Sequence, residues 1–452
     1  MPTADVAVIG AGLAGLAAAV RLAERGARVI LLAQGNGAIH WAGGPIDTAA
    51  VPGAATPAAA AAGLAATDGH PYRFLHDDLE PAVGWFGELV EAGGLPHAGT
   101  LDTAFGALPT GIGGIRPVAV VPASQAAALE PWGSDERLVL VGPVGYKDFW
   151  PRAVAASLAR PEVWGPFGRP ARVEGIAVEL PGLAGRHNLN ALRIADHFDD
   201  PAWRRAALDA IAVAVDATGP GPVRVALPAV LGRVHHGAAL RETAERLGRP
   251  VIEVPLVPPG VPGLRLYAVL REAFRALGGR IMLGEPVVRA DVRERRVVAI
   301  ESTAATRHVV TRVGAVVLAT GGITGGGLSG EPDGRIVETV FGLPVEGPPI
   351  DRWVTGDPLR PGAMPIATAG LRTDPELRPV DPSRPADGPL IENVRIVGGL
   401  LAGQNWMRER CGDGVALASA WRAAATLASE PPAASVQPAT AGTSQPIGGG
   451  AR

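Results

Sequence analysis

An apolar run, Val6-Ala-Val-Ile9, is followed by three closely spaced glycines and then by small and apolar residues from Leu16 to Arg25, closing on Gly26. The run lacks the alternation of a half-exposed strand, so it predicts a strand buried on both faces, feeding a helix; Arg28-Val-Ile-Leu-Leu32 predicts the next strand. A helix is expected over Leu79–Ala92, before a Gly/Pro-rich segment, Leu108–Ile115. From Arg116 to Gly260 short apolar strands at Val118–Val121, Arg137–Val141, Val223–Leu227 and Pro250–Val254 alternate with helices such as Trp203–Val215 and Ala238–Leu247. That alternation reads as a second α/β unit inserted into the first. A helix from Gly263 then stops at Gly278-Gly279 and feeds a strand ending at Gly284, and Val287–Val292 with Arg296–Ser302 forms a meander. Two further buried strands each run into a glycine pair: Val313–Leu318 into Gly321-Gly322, and Ile391–Val397 into Gly398-Gly399. A helix over Val415–Ala428 closes the ordered chain, and the tail at 431–452 lacks the composition to pack and is expected to be disordered.

The first turn, Gly10-Ala-Gly12-Leu-Ala-Gly15, stands between a strand and a helix, the setting that makes this spacing informative. Gly10 permits the tight turn, Gly12 lets backbone approach a pyrophosphate, and Gly15 lets helix and strand pack closely, while free N–H groups at the helix start attract phosphate charge. The partner feature is missing. An acidic residue about 20 positions further on is expected to bind the adenosine ribose, but the second strand ends at Ala33-Gln34-Gly35, and Gln34 would bond a ribose hydroxyl without charge assistance. The loop from Gly35 to Asp47, with His40, Gly43 and Gly44, has neither helical nor strand periodicity and suits close backbone approach to a ring system. Cys411-Gly412-Asp413-Gly414 opens the last helix, and such a start is an anion site on dipole grounds.

With 452 residues the chain is long enough for two cores. Its 61 Gly and 43 Pro favour a loop-rich α/β protein over a helical bundle. The formal charge of −3 provides no field to recruit nucleic acid or anionic lipid. Cys411 is the sole cysteine, which excludes an internal disulfide and an iron–sulfur cluster held by this chain and suits a reducing cytosol. The uncharged N-terminal stretch is the first strand and helix rather than a secretory signal, because it has glycines and no basic leader. The uncharged stretch between Asp47 and Asp68 contains Pro52 and Pro57 and reads as loop plus short helix rather than a membrane span.

Three glycine elements, near 10, 321 and 398–414, with a cap inserted between them, resemble the two-dinucleotide-binding-domain flavoproteins of the fumarate reductase type. The loop with His40, Gly43, Gly44 and Asp47, the run Leu140–Phe149, the segment Val254–Leu266 with Pro258, Pro259, Gly263 and Arg265, and Cys411–Gly414 narrow the resemblance. They are similar to the family of B-type subunits of anaerobic glycerol-3-phosphate dehydrogenases, from the N-terminus to about Ala428. The resemblance implies an α/β, Rossmann-like two-dinucleotide-binding-domain fold with an inserted α/β cap, divided as 1–116, 117–259 and 260–430, with a possible cap excursion at 326–364. It implies a flavin, with FMN preferred given the missing carboxylate and FAD the alternative. The partners implied are a larger FAD-bearing catalytic subunit and an iron–sulfur membrane-anchor subunit, with electrons passing from sn-glycerol 3-phosphate towards quinone. No nucleic acid and no direct membrane span are expected, and the location implied is cytoplasmic, on the inner face of the membrane through those partners. Asp413 stands where a third glycine is usual, and Gly43-Gly44-Pro45 replaces a Ser-Gly-Ser run.

The expected flavin contacts are Gly10, Gly12, Gly15, Gly43, Gly44, Gly321, Gly322, Gly398, Gly399, Cys411, Gly412 and Gly414. His40, whose ordinary pKa lies near neutrality, is the candidate proton carrier, and Arg265 the candidate clamp for a carboxylate or phosphate. The competing reading of each is a backbone-bonded loop histidine and an ordinary surface arginine. No metal site is expected, since His235-His236 has no spaced ligands to join it. Two alternatives stand beside the main reading: a stand-alone flavin dehydrogenase acting on a small carboxylate or enone, and a flavin-free structural subunit.

Overall fold

The computed structural model describes residues 3–305, 307–357 and 363–429; the expected tail lies outside these. The Thr3–Ile9 and Val29–Ala33 strands pair in parallel, with Val6 opposite Val29, and the Leu13–Glu24 helix crosses between them. Among the described residues seven strands form this sheet. Arg280–Leu283 borders Val29–Ala33 on the outside, and Arg307–Leu318 borders Thr3–Ile9 on the inside, both in parallel.

The long Arg307–Leu318 strand changes partner midway. Its first half pairs antiparallel with Arg296–Ala304, which continues to Val287–Arg293, whereas Val316 to Leu318 pair in parallel with Val394–Ile396. Where a sheet forks, backbone groups lose their ladder partners and must find others. Asn393 supplies them: buried, it accepts from the Val297 N–H at 2.8 Å and donates to the carbonyls of Val297 and Gly314 at 2.8 and 2.7 Å.

Four helices, Leu13–Glu24, Tyr72–Ala92, Val261–Ala276 and Gly412–Ser429, pack together against the sheet. Alanine dominates the buried face of the first and last, including Ala17, Ala18, Ala420 and Ala424, so their axes can lie close. The Tyr72–Ala92 helix starts seven residues earlier than its expected start at Leu79. Pro81 sits inside it, and a proline interior to a helix masks the signal by removing a donor.

A second, four-stranded sheet runs Val251–Val254, Val223–Pro228, Arg137–Pro143, Arg172–Val178, all parallel, over its own core around Leu138, Leu140, Ile194 and Val225. The expected Val118–Val121 strand is instead divided between two short antiparallel pairs, Gly106–Pro109 with Ile115–Val118 and His97–Ala98 with Val121–Pro122. Pro117 and Pro122 cannot donate to a continuous ladder. Among the described residues no helix is long and apolar enough to cross a membrane.

A buried ion pair ties the four-stranded sheet to the Val261–Ala276 helix. Glu253, at the edge of the four-stranded sheet, takes Arg265 Nη1 at 2.6 Å and Nη2 at 3.0 Å, and the Leu231 N–H at 2.8 Å, while Arg265 Nε donates to the Gly232 carbonyl at 2.8 Å. Glu253 is 0% and Arg265 4% exposed. Burial pushes the Glu253 carboxyl up, but Arg265 and His236 more than offset it, leaving it at about 2. Its folded value lies below its unfolded value, so its contribution to stability is full above the ordinary carboxylate range and is lost as pH falls through about 2. Glu253→Gln strands a buried guanidinium and should cost about 3–5 kcal/mol at neutral pH. Urea unfolding of the two proteins checks this, and the gap should close only towards pH 2.

Candidate functional site

The glycine turn, the loop after the second strand and the two glycine-ended strands surround a cavity of about 890 Å³. Its floor is Ile9–Ala14. One end is formed by Ala33, Gln34 and Gly35 with Pro286 and Val287; the other by Gly43–Asp47, Arg116, Gly412 and Asp413. Ala319–Gly322, Gly399 and Gln404 form a further part of the wall.

Bare backbone makes this arrangement possible. Gly10 has φ +118°, and a Cβ there would lie 2.2 Å from the Ala319 carbonyl; a Cβ on Gly15 would lie 2.0 Å from the Gly10 carbonyl. Both are glycine because protein presses on them. Gly12 is different: its φ is −77°, which any residue adopts, and a Cβ there would meet nothing within 4 Å. No protein atom explains that glycine, and the space it leaves open belongs to the cavity. Gly322 and Gly399, 77 positions apart in sequence, meet where the two strands end, a Cβ on Gly322 lying 2.6 Å from the Gly399 carbonyl.

The Gly35–Asp47 loop is held from two sides. Gln125 donates to the Gly43 carbonyl at 2.8 Å, and Ile46 N–H to Val120. From the other side the proline-glycine segment before Arg265 packs on it: Gly260 N–H donates to His40 O and Gly263 N–H to Ala42 O, at a closeness that leaves no room for a Cβ on either glycine. That packing accounts for the Pro258–Gly263 motif.

Of the twelve expected contacts, Gly10, Gly12, Gly43, Gly44, Gly321, Gly322, Gly399 and Gly412 line the cavity. Gly15, Gly398, Cys411 and Gly414 do not. Gly398 turns with φ +69°, its N–H held by Ser419 Oγ at 2.9 Å, and Gly414 makes way for Tyr72 and Thr48. Cys411 points away from the cavity, with Sγ 3.6 Å from Glu409 and 3.9 Å from His70, and burial pushes its thiol well up. The cluster of His70, Glu409 and Cys411, which sequence reading overlooked, could be taken for a metal site. Its bonds say otherwise: His70 Nδ1 accepts from the Tyr72 N–H, so the ring proton sits on Nε2, facing Glu409 at 3.3 Å.

The two candidate side chains for chemistry are placed differently from expectation. His40 is not part of the cavity wall; its ring lies edge-on to Tyr267 at 4.9 Å, and burial lowers its pKa. Arg265 reaches the wall, but it is buried and its fork is committed to Glu253 and Gly232, so it is neither a surface arginine nor free to clamp a carboxylate or phosphate. The helix start is likewise committed. The N–H groups of Asp413 and Gly414 donate to the Asp47 carbonyl at 3.1 and 3.0 Å, and Asp47 N–H donates back to Asp413 Oδ2 at 2.9 Å. Loop and helix therefore clasp each other, and those two donors are not free for an anion.

Other residues face the cavity in their place. Asp47 pairs with Arg116. His97 donates from Nδ1 to the Leu95 carbonyl at 3.0 Å, and burial lowers its pKa to about 4, so at neutral pH its Nε2 is an acceptor. Gln404 is 1% exposed, and its amide is fixed by bonds from Nε2 to the carbonyls of Gly398 and Leu401 at 2.9 and 3.1 Å, leaving Oε1 enclosed in the cavity wall with no partner. A buried acceptor without a donor costs about 1–3 kcal/mol, so it calls for a ligand N–H. The imide N–H of an isoalloxazine ring is such a donor, and glycine main chain suits the phosphates; the residues present fit a flavin. Nothing in the sequence around Gln404 marks it, since Gly403-Gln404-Asn405-Trp406 has no periodicity or motif.

Residues 5–415 match the family model described as an FAD binding domain. The probable B-type subunit of the anaerobic glycerol-3-phosphate dehydrogenase of Halobacterium salinarum is 33% identical over 442 residues, covering 94% of this chain and 98% of that one. The B-type subunit of the anaerobic glycerol-3-phosphate dehydrogenase of Yersinia pestis is 30% identical over 446 residues, covering 94% and 98%. Among solved structures, a 3-ketosteroid dehydrogenase from Rhodococcus jostii aligns over 95% of this chain and 97% of its own, with 14% identity and a TM-score of 0.41.

Gln404→Leu, which removes the acceptor together with the Nε2 donor to Gly398 and Leu401, should weaken flavin binding by at least roughly fivefold, the equivalent of about 1 kcal/mol. Gly12→Val should abolish flavin retention while the melting temperature of the flavin-free protein stays within a few degrees of the parent. Fluorescence titration of the stripped proteins with flavin measures the binding, and thermal melts of the same proteins the stability.

Proposed function

As the chain belongs to the FAD-binding-domain family and, within it, to the B-type subunits of anaerobic glycerol-3-phosphate dehydrogenases, we propose that it is the flavin-bearing electron-transfer subunit of such a complex. A flavin-dependent oxidoreductase subunit is what its family and its cavity have in common. The complex would oxidise sn-glycerol 3-phosphate to dihydroxyacetone phosphate and pass electrons towards quinone through a larger FAD-bearing subunit and an iron–sulfur membrane-anchor subunit. Those partners would hold it at the inner face of the membrane.

One observation carries the reading: glycine elements from residues 10, 43, 321 and 399 converge with an unpartnered amide oxygen on a single cavity. When bound, a flavin supplies hydride and single-electron chemistry. The protein's part is position and field. The Gly10–Ala14 floor would carry the pyrophosphate, Gln404 would orient the ring, and Asp47, Arg116 and Asp413 would set the charge at the far end. The wall draws no residue from between Pro122 and Pro262, so among the described residues the four-stranded sheet lends nothing to it. The wall arginines, Arg116 and Arg265, are each paired to a carboxylate. This supports a site built for a cofactor, with the phosphate-bearing substrate handled by the partner.

We assign the cofactor as FAD rather than the FMN that the missing ribose carboxylate favours. The cavity continues past the Gly12 turn to Ala33–Gly35 and Pro286-Val287, where an adenosine half would lie, and Gln34 stands in the carboxylate's place. The chain purified alone, denatured and chromatographed should release one FAD per polypeptide. Release of FMN would leave that end of the cavity without a purpose, and a colourless protein would end the flavin reading.

A further inference from the structure

Asp413 departs from the glycine run that its helix start resembles, and its surroundings give it a use. Main-chain bonds fix it beside Asp47: its Oδ2 accepts the Asp47 N–H at 2.9 Å, and the N–H groups of residues 413 and 414 hold the Asp47 carbonyl. Both residues line the cavity. Arg116 is the only cation bonded to either carboxylate among the described residues, and it is bonded to Asp47. Arg410 lies close enough to feel Asp47 and Arg116, and behind Asp413 are the Tyr72 hydroxyl, bonded to the Thr48 carbonyl, and then Glu409 and Cys411. Two carboxylates locked together by backbone cannot separate to relieve their repulsion, and the Arg116 guanidinium is bonded only to Asp47.

We propose that Asp413 is a proton-exchanging acid in the wall of the cofactor cavity, which takes up a proton when negative charge arrives at its end and releases it when that charge leaves. Burial, then Asp47, raises its pKa to about 7, and the Asp47 N–H and Arg116 offset this only in part. Asp413 therefore exchanges its proton around neutral pH. The step is an acid–base one: a solvent proton forms an O–H bond to the carboxylate, and no electrons move on Asp413. The helix start, whose two donors are occupied by Asp47, thereby gains in the neutral Asp413 an O–H donor of its own. The electron-linked half of this proposal rests on the flavin reading; the proton equilibrium does not.

Infrared spectra of the purified full-length protein between pH 5 and 9 provide the test. A protonated-carboxyl band should titrate away with a midpoint near 7 in the parent and be missing from Asp413→Asn, which keeps an acceptor for the Asp47 N–H, and from Asp413→Gly. Persistence of the band in both variants, or its absence from the parent, overturns the proposal. Reduction at pH 7 in weak buffer with an indicator dye should then show more protons taken up per electron pair by the parent than by either variant. Equal uptake overturns the coupling. A protein without flavin would show itself by lacking visible absorbance, while the infrared titration would still decide the state of Asp413.

Discussion

Two parallel strands ending side by side with nothing between their main chains set the terms for the whole molecule. The Ala319 carbonyl occupies the space where a Cβ of Gly10 would be, and the Gly10 carbonyl occupies that of Gly15. Strand, turn and helix are thus drawn together into one floor, and the cavity above has its width because of that contact. A methyl group at either position would move backbone rather than side chain, which a packed interior resists. The remaining walls are tied to one another and to their surroundings by hydrogen bonds: the loop through Gln125 and Gly260, the second strand end through Ser419, and the last helix through Asp47.

The buried polar groups divide into those that hold the frame and those that face the cavity. Glu253 with Arg265, and Asn393 at the fork of the sheet, have every partner they need and contribute rigidity. Gln404 and Asp413 are incompletely served by protein. Satisfied groups hold the shape; the unsatisfied ones are where a ligand or a proton is expected to matter.

Much of the fold was legible in the sequence because its strands are continuous apolar runs that end in glycine, a signal that survives without tertiary information. The first turn, the meander after Gly284 and the two glycine-ended strands lie where the apolar pattern places them. Local breakers hid the rest: Pro81 obscured one helix start, and Pro117 and Pro122 divided a strand. In the site, glycines were readable because their spacing is local. Side-chain roles were not, since Arg265, on a helix, is determined by Glu253 on a strand of the four-stranded sheet and Asp413 by a loop 366 positions earlier. Sequence pattern marks residue types; it does not say which partner each one meets across the fold.

The clasp between Asp47 and the start of the last helix also has a bearing on how the molecule is made. The floor of the cavity is synthesised early, with Ile9–Ala14, but Gln404, Gly412 and Asp413 emerge from the ribosome only after both sheets have been translated. Contacts this distant are the slowest to form, because a long loop must close before they repay its entropy. The nascent chain therefore carries an open cleft through most of its synthesis, and the prosthetic group can be enclosed only once that last helix is out, as a late act of maturation.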